Sequence, residues 1–147
     1  MFSTTTALGD IAHVIQLAIA PVFLLNAVGA LLVVLTNRLG RSVDRRRILA
    51  ATVHQLQEPF LSDAIEEIGL IAQRVNLIYT AIVLAVICAL FVCLLIAVAF
   101  VDAIVDTDLA WMVATMFVIA MLALVCSLGA FLREIFLAVT SASGTIR

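Results

Sequence analysis

Three long apolar runs dominate the pattern of hydrophobic and polar positions along the chain. They extend over residues 11–36, 75–101 and 109–132, and none contains Asp, Glu, Lys or Arg. A helix needs about 20 apolar residues to cross a hydrocarbon core about 30 Å thick. Because a backbone in lipid must satisfy its own hydrogen bonds, we expect all three runs to be transmembrane α-helices.

The composition agrees with a protein that lies in a lipid bilayer. Of the 147 residues, 65% are hydrophobic and 12% are charged, and the mean hydropathy is +1.28. Soluble domains carry about 25% charged residues, so water is not the expected solvent. The formal net charge of -2 does not indicate a nucleic-acid partner. We therefore predict an all-α integral membrane protein in which residues 1–147 form a single membrane domain.

The basic residues are all arginines, and most of them follow the first apolar run. This group consists of Arg38, Arg41, Arg45, Arg46 and Arg47, whereas the connection between the second and third runs contains no basic residue. Arginines that flank a span are retained in the cytoplasm. We expect the first connection and the C-terminus to be cytoplasmic and the N-terminus to be outside. The same arginines are candidates for contacts with lipid headgroups, although topology alone accounts for them.

The connection between the first two runs has a helical pattern of its own. Ser42 is placed to cap a helix from Val43, and Pro59 interrupts the chain. Beyond the proline, apolar residues recur at alternating steps of four and three, at Leu61, Ile65, Ile68, Ala72 and Val75. This spacing is typical of a coiled coil. We predict a cytoplasmic helical hairpin at about residues 43–74, which either projects from the membrane or lies on its surface.

Small residues recur at every fourth position of the second run. They form a small-residue ridge that consists of Ala81, Ala85, Ala89, Cys93 and Ala97. Helices in lipid associate through close packing at small residues, so the ridge predicts helix packing and self-association. Cys88 and Cys126 also lie in apolar runs, and neither a disulfide framework nor a zinc site is expected from the cysteines.

The first run carries the polar side chains that are candidates for function. These are His13, Gln16 and Asn26, together with Pro21. An asparagine within a span more often makes an interhelical hydrogen bond, and a histidine near the interface is usually half solvated. The proline removes one backbone donor and frees a carbonyl, which permits a kink or a ligand contact.

The rest of the sequence offers few candidates for metal-binding or catalytic residues. Asp102, Asp106 and Asp108 are weak candidates for metal ligands, because their loop lacks the glycine and regular spacing of a calcium site. No phosphate loop or catalytic set is found, so we expect neither an enzyme nor a cofactor. Since every Asp, Glu and Arg lies outside the three runs, we do not expect an ion pump. Arg133 and Glu134 are adjacent on the helix and cannot face each other, so we infer no buried ion pair between them. Arg133 and Glu134 are expected to mark the inner membrane boundary.

Two segments resemble a known family. Residues 15–49 contain APVFLL, then TNRL, then VDR, and residues 68–84 read IGLIAQRVNLIYTAIVL. Together they resemble a family of small, uncharacterised bacterial inner-membrane proteins, a domain of unknown function. The resemblance implies a multi-pass protein of that membrane and implies no catalytic residue. It directs attention to five residues, for which structure or topology is the simpler explanation: Pro21, Asn37, Arg38, Asp44 and Arg45.

These patterns lead to two hypotheses about function. The first is a non-enzymatic, oligomerising scaffold or interaction subunit, whose hairpin contacts another copy or a protein partner. The second is a homo-oligomeric channel or passive pore lined by the first span, with Asn26 and Thr115 exposed to the pore. The lipid bilayer and a second copy of the chain are the expected partners.

The orientation can be tested with a topology reporter fused at Ser62, in the first connection. Because the arginines hold this connection in the cytoplasm, a reporter that is active only in the cytoplasm should be active there. The same reporter inserted at Asp106 serves as the opposite control and should be silent. Activity at Asp106 together with silence at Ser62 would reverse the predicted orientation.

Overall fold

A computed structural model describes residues 3–53, 60–105 and 109–144, and within these ranges every residue except Leu109 lies in one of three α-helices. Helix α1 is Ser3–Val53, α2 is Phe60–Val105 and α3 is Ala110–Gly144. At 1.5 Å per residue they measure about 76, 69 and 52 Å along their axes. Each therefore exceeds the length that a bilayer requires.

All three helices are apolar enough to cross a membrane. The candidate spans are Ile19–Thr52, Ile68–Asp102 and Ala110–Thr140, by length and composition. Their outward surfaces carry large apolar side chains, such as Phe23 at 69% exposure and Leu122 at 60%. Lipid, unlike water, covers such a surface without penalty. The prediction of an all-helical fold with three helices long and apolar enough to span a membrane is thus confirmed for the described residues.

The helices are longer than the apolar runs alone indicate. The predicted helix start at Ser42 is wrong, because α1 continues without a break through this residue to Val53. The segment after Ser42 is rich in Arg, Leu and Ala, which are strong helix formers, so little favours a break there. Helix α2 begins at Phe60 and continues without a break into the second span. Pro59 lies outside the described residues.

The chain divides into two compact units, and each helix contributes to both. The first unit takes in the chain up to Leu31 and the segment Leu84–Val125. Its buried side chains are mostly small, which permits close helix approach. They include Pro21, Val28, Ala85, Cys88, Val92, Leu95, Ala120 and Ala123.

The second unit takes in Leu32–Val83 and the chain from Cys126 onward. Its buried apolar side chains are Leu35, Ile71, Ile78 and Ala81, and two polar residues, Ser127 and Glu134, are buried with them. The Ser127 hydroxyl donates a hydrogen bond of 2.7 Å to the Ala81 carbonyl, which joins α3 to α2. Because Ala81 has no bulk beyond Cβ, the two helices approach closely enough for this bond.

The buried face of the first turns of α2 differs from the predicted coiled-coil stripe. Ile65 is 57% exposed and Ile68 and Ala72 are only half-buried, whereas Ile71 is 5% exposed. Adjacent helix positions differ by about 100°, so the buried face is rotated by about one position from the predicted stripe. The partner residues that would decide the packing of the predicted hairpin include Val53 and Leu56, whose side chains lie outside the described part of the chain.

Candidate functional site

A buried carboxylate lies in the second unit. Glu134 of α3 has a side-chain exposure of 0%, and an arginine from each of the other helices reaches it. Arg74 of α2 donates from Nε and Nη2 to Oε1, at 3.3 and 3.1 Å. Arg38 of α1 places Nη2 at 3.3 Å from Oε2. We call this arrangement the Arg38–Glu134–Arg74 cluster, and it joins all three helices.

The two oxygens of Glu134 are satisfied to different degrees. Oε1 accepts two hydrogen bonds from Arg74, whereas Oε2 accepts none from the described residues and has only the ion-pair contact with Arg38. Removing a carboxylate from water is expensive unless opposite charge and hydrogen bonds compensate it. Two guanidinium groups supply that compensation, and they leave the cluster with one positive charge in excess.

An aromatic ring fixes the position of Arg38. Its guanidinium carbon lies 5.4 Å from the centre of the Phe131 ring, within the range of a cation–π contact. Phe131 and Glu134 are three residues apart on α3, so they share one face of the helix. That face therefore offers Arg38 an aromatic surface and a carboxylate one turn apart.

The register between α2 and α3 explains why Arg74 meets Glu134. Ser127 and Glu134 are seven residues apart on α3, and their partners, Ala81 and Arg74, are seven apart on α2 in the opposite order. Seven residues make about two turns, so each pair lies on one face of its helix. The two contacts thus define an antiparallel helix pair in a single register.

Glu134 forms buried ion pairs, with Arg38 and Arg74, that were not predicted from the sequence. The argument from adjacent positions correctly excludes a pair between Arg133 and Glu134, and Arg133 is exposed. Glu134 instead points inward to partners that are distant in sequence, and the candidate span Ala110–Thr140 includes it. The helical spacing from Ser127 is a signal in the sequence that indicates an inward position for Glu134.

The predicted headgroup arginines do not all have the same surroundings. Arg38 is half-buried in the cluster, whereas Arg41, Arg45, Arg46 and Arg47 are exposed. Arg41 lines an open groove of about 420 Å³ together with Val34 and Asn37. The three lining residues recur at steps of three and four along α1 and therefore lie on one face.

The polar candidates of the first span have different environments. Gln16 and Asn26 are exposed, and Pro21 is buried inside a helix that continues through it. No hydrogen bond joins the Asn26 amide to another described residue. The His13 side chain lies outside the described part of the structure.

The acidic connection is only partly described. Asp102 accepts a hydrogen bond of 3.0 Å from the backbone amide of Leu109, the residue that precedes α3. This bond links the end of α2 to the start of α3. Asp106 and Asp108 lie outside the described residues. Within residues 3–53, 60–105 and 109–144, no group of three His, Cys, Asp or Glu side chains is placed to hold a metal ion.

The small-residue ridge is buried at its N-terminal end and exposed at its C-terminal end on α2. Ala81 and Ala85 are buried, Ala89 is half-buried, and Cys93 and Ala97 are exposed. A step of four residues turns about 40° beyond a full helical turn, so the ridge winds around the helix. The buried positions instead alternate steps of three and four, from Ala85 through Cys88 and Val92 to Leu95.

Three long apolar helices and a buried charge cluster define a multi-pass α-helical membrane protein. A family profile described as "Protein of unknown function (DUF2721)" matches residues 18–143, and the chain belongs to that family. A search of curated proteins and a search of solved structures each give no match to the chain. This match confirms the predicted resemblance to a family of unknown function.

The energetic importance of the cluster can be measured with a double-mutant cycle on Glu134→Gln and Arg74→Gln. Breaking a buried pair by removing one charge costs about 3–5 kcal/mol, and we expect about 2–3 kcal/mol here because the arginine side chains are 27% exposed. The double variant should lose less than the sum of the single variants, by at least about 1 kcal/mol. Reversible unfolding in mixed micelles gives the free energies.

Arg133→Gln is the matched control for this cycle, because it removes an exposed charge next to Glu134 without touching the cluster. Its effect should stay within about 0.5 kcal/mol. Strictly additive losses in the cycle would contradict a coupled Arg74–Glu134 pair.

Proposed function

We propose that this protein is a non-enzymatic, self-associating subunit or scaffold of a bacterial inner membrane, oriented with its arginine-rich connection in the cytoplasm. The observation that carries the proposal is the exposure of Asn26 on the outward face of α1, within a candidate membrane span. An amide that faces hydrocarbon without a hydrogen-bond partner costs several kcal/mol. A second copy of the same helix removes that cost.

The surroundings of Asn26 suit contact with another helix. Ile19, Phe23 and Ala30 are exposed with it and are spaced in steps of four and three, so they follow one line along α1. Ala30 lies one turn from Asn26 and is small enough to admit a second backbone. An asparagine amide both donates and accepts, so two symmetry-related copies of Asn26 complement each other.

The second span supports the same proposal. Cys93 and Ala97 belong to the small-residue ridge but are exposed in the single chain. A ridge that begins in the buried interior and emerges on the surface gives α2 a smooth outward area for another subunit. The exposed arginines and the predicted cytoplasmic hairpin offer a surface on which a protein partner could bind from the inner side.

Self-association can be tested by disulfide crosslinking through Ala30→Cys in native membranes. The background carries Cys93→Ala and Cys126→Ala, which remove the two exposed cysteines and leave the buried Cys88 in place. We expect a crosslinked dimer, and adding Asn26→Ala should reduce it about fivefold, because symmetric amide contacts contribute about 1 kcal/mol. Gln16→Ala changes an exposed polar residue that precedes Asn26 on α1, and it should leave the dimer unchanged. The proposal would be refuted if only monomers formed in two proteins: the Ala30→Cys variant in this background, and the unaltered protein, in which Cys93 is present.

A passive pore is a second candidate function, favoured by the same exposed amide if several copies enclose it. Thr115 is also exposed, but its hydroxyl already donates to the Trp111 carbonyl at 2.8 Å, so only its acceptor side is free to contact water. Reconstituted protein should then pass small solutes, and Asn26→Leu should abolish the flux by making the lining apolar. If neither the unaltered protein nor Asn26→Leu passes solutes while the unaltered protein still crosslinks, the pore would be refuted and the scaffold would remain the proposed function.

A further inference from the structure

The Arg38–Glu134–Arg74 cluster carries positive charge that its own acid does not neutralise. In the Arg38–Glu134–Arg74 cluster two cations share one anion, and both arginine side chains remain 27% exposed. A guanidinium group has five N–H donors, and Glu134 occupies only some of them. Both arginines therefore keep donors for an outside acceptor.

A third arginine stands beside the cluster. Arg41 is three residues from Arg38 on α1, so the two side chains are neighbours on the helix surface. Like charges at this spacing destabilise a helix by a few tenths of a kcal/mol. Glu134 is fully buried and contacts only Arg38 and Arg74 among the described basic residues, so it does not offset Arg41. Asp44, three residues after Arg41, is the nearest acid to it along α1. Arg38, Arg41 and Arg74 together with Asp44 and Glu134 still carry one positive charge in excess, which an anion from outside the chain would balance.

The groove next to these arginines changes from apolar to charged along its length. Val34, Asn37 and Arg41 line it in that order, over about 10 Å of the α1 axis. Val34 is an apolar contact on the membrane side, Asn37 offers an amide donor one turn further, and Arg41 offers a guanidinium after another turn. Acyl chain, ester and phosphate follow one another in the same order in a phospholipid.

We propose that this groove and the exposed edge of Arg38 bind the phosphate headgroup of an anionic phospholipid, with Arg38 and Arg41 at the phosphate, Asn37 at the ester and Val34 against the acyl chain. Arginine is the side chain best suited to such a contact, because its planar donors match phosphate oxygens. The excess positive charge of the cluster selects anionic over zwitterionic lipids. The proposal is independent of whether the protein self-associates.

The proposal is tested by titrating the full-length protein with dioleoyl phosphatidylglycerol in an uncharged detergent and counting bound lipids by native mass spectrometry. Arg41→Gln should weaken binding about fivefold, since one basic residue near an anionic lipid contributes about 1 kcal/mol. Asn37→Ala should weaken it to a smaller extent. Arg133→Gln is the matched control, because it removes an exposed arginine near Glu134 that has no part in the groove, and it should bind as the unaltered protein does.

Three results would overturn the proposal. Equal weakening by Arg41→Gln and Arg133→Gln would mean general attraction to the basic surface in place of a site. Equal affinity for dioleoyl phosphatidylcholine would remove the selection for negative charge. Competition by inorganic phosphate at the same concentration as the lipid would assign the site to a free anion, since the groove contributes nothing for a ligand without an acyl chain.

Discussion

The burial of one carboxylate among three apolar helices is the constraint on which this end of the protein depends. Glu134 has no contact with water, so its charge must be compensated by groups that the fold itself delivers. Arg74 delivers two hydrogen bonds and Arg38 delivers a second positive charge. Because Arg38, Arg74 and Glu134 come from three different helices, the charge of Glu134 is compensated only when the three helices pack together.

Arg38 belongs to the arginine group that we interpret as a topology signal, but its contacts give it a structural role as well. In the sequence these arginines appear as a topology signal, and a topology signal requires only that positive charge be present. Arg38 differs from its neighbours because it lies against Phe131 and Glu134 on α3. A lysine at this position would keep the charge and lose the planar surface that stacks on the ring. The particular residue matters at Arg38, whereas only its charge is needed for orientation.

The sequence predicted the features that depend on composition and missed those that depend on pairing. Long uncharged runs have one stable form in lipid, so three helices could be predicted with their approximate limits. The continuation of α1 past Ser42 was missed because a favourable capping residue is only a local preference, which the helix-forming segment after it overrides. The small-residue ridge predicted the buried positions Ala81 and Ala85 but not the rotation that exposes Cys93. Arg74 and Glu134 are 60 positions apart, and only the shared register of α2 and α3 brings them together.

The two contacts between α2 and α3 have a consequence for motion in the second unit. A hydroxyl meets a carbonyl at one level, and two turns away a carboxylate meets a guanidinium. Sliding one helix past the other by a single turn, about 5.4 Å, would strand both partners at once and leave a bare charge among hydrocarbon side chains. Within the second unit a piston-like stroke of α3 against α2 is therefore strongly opposed.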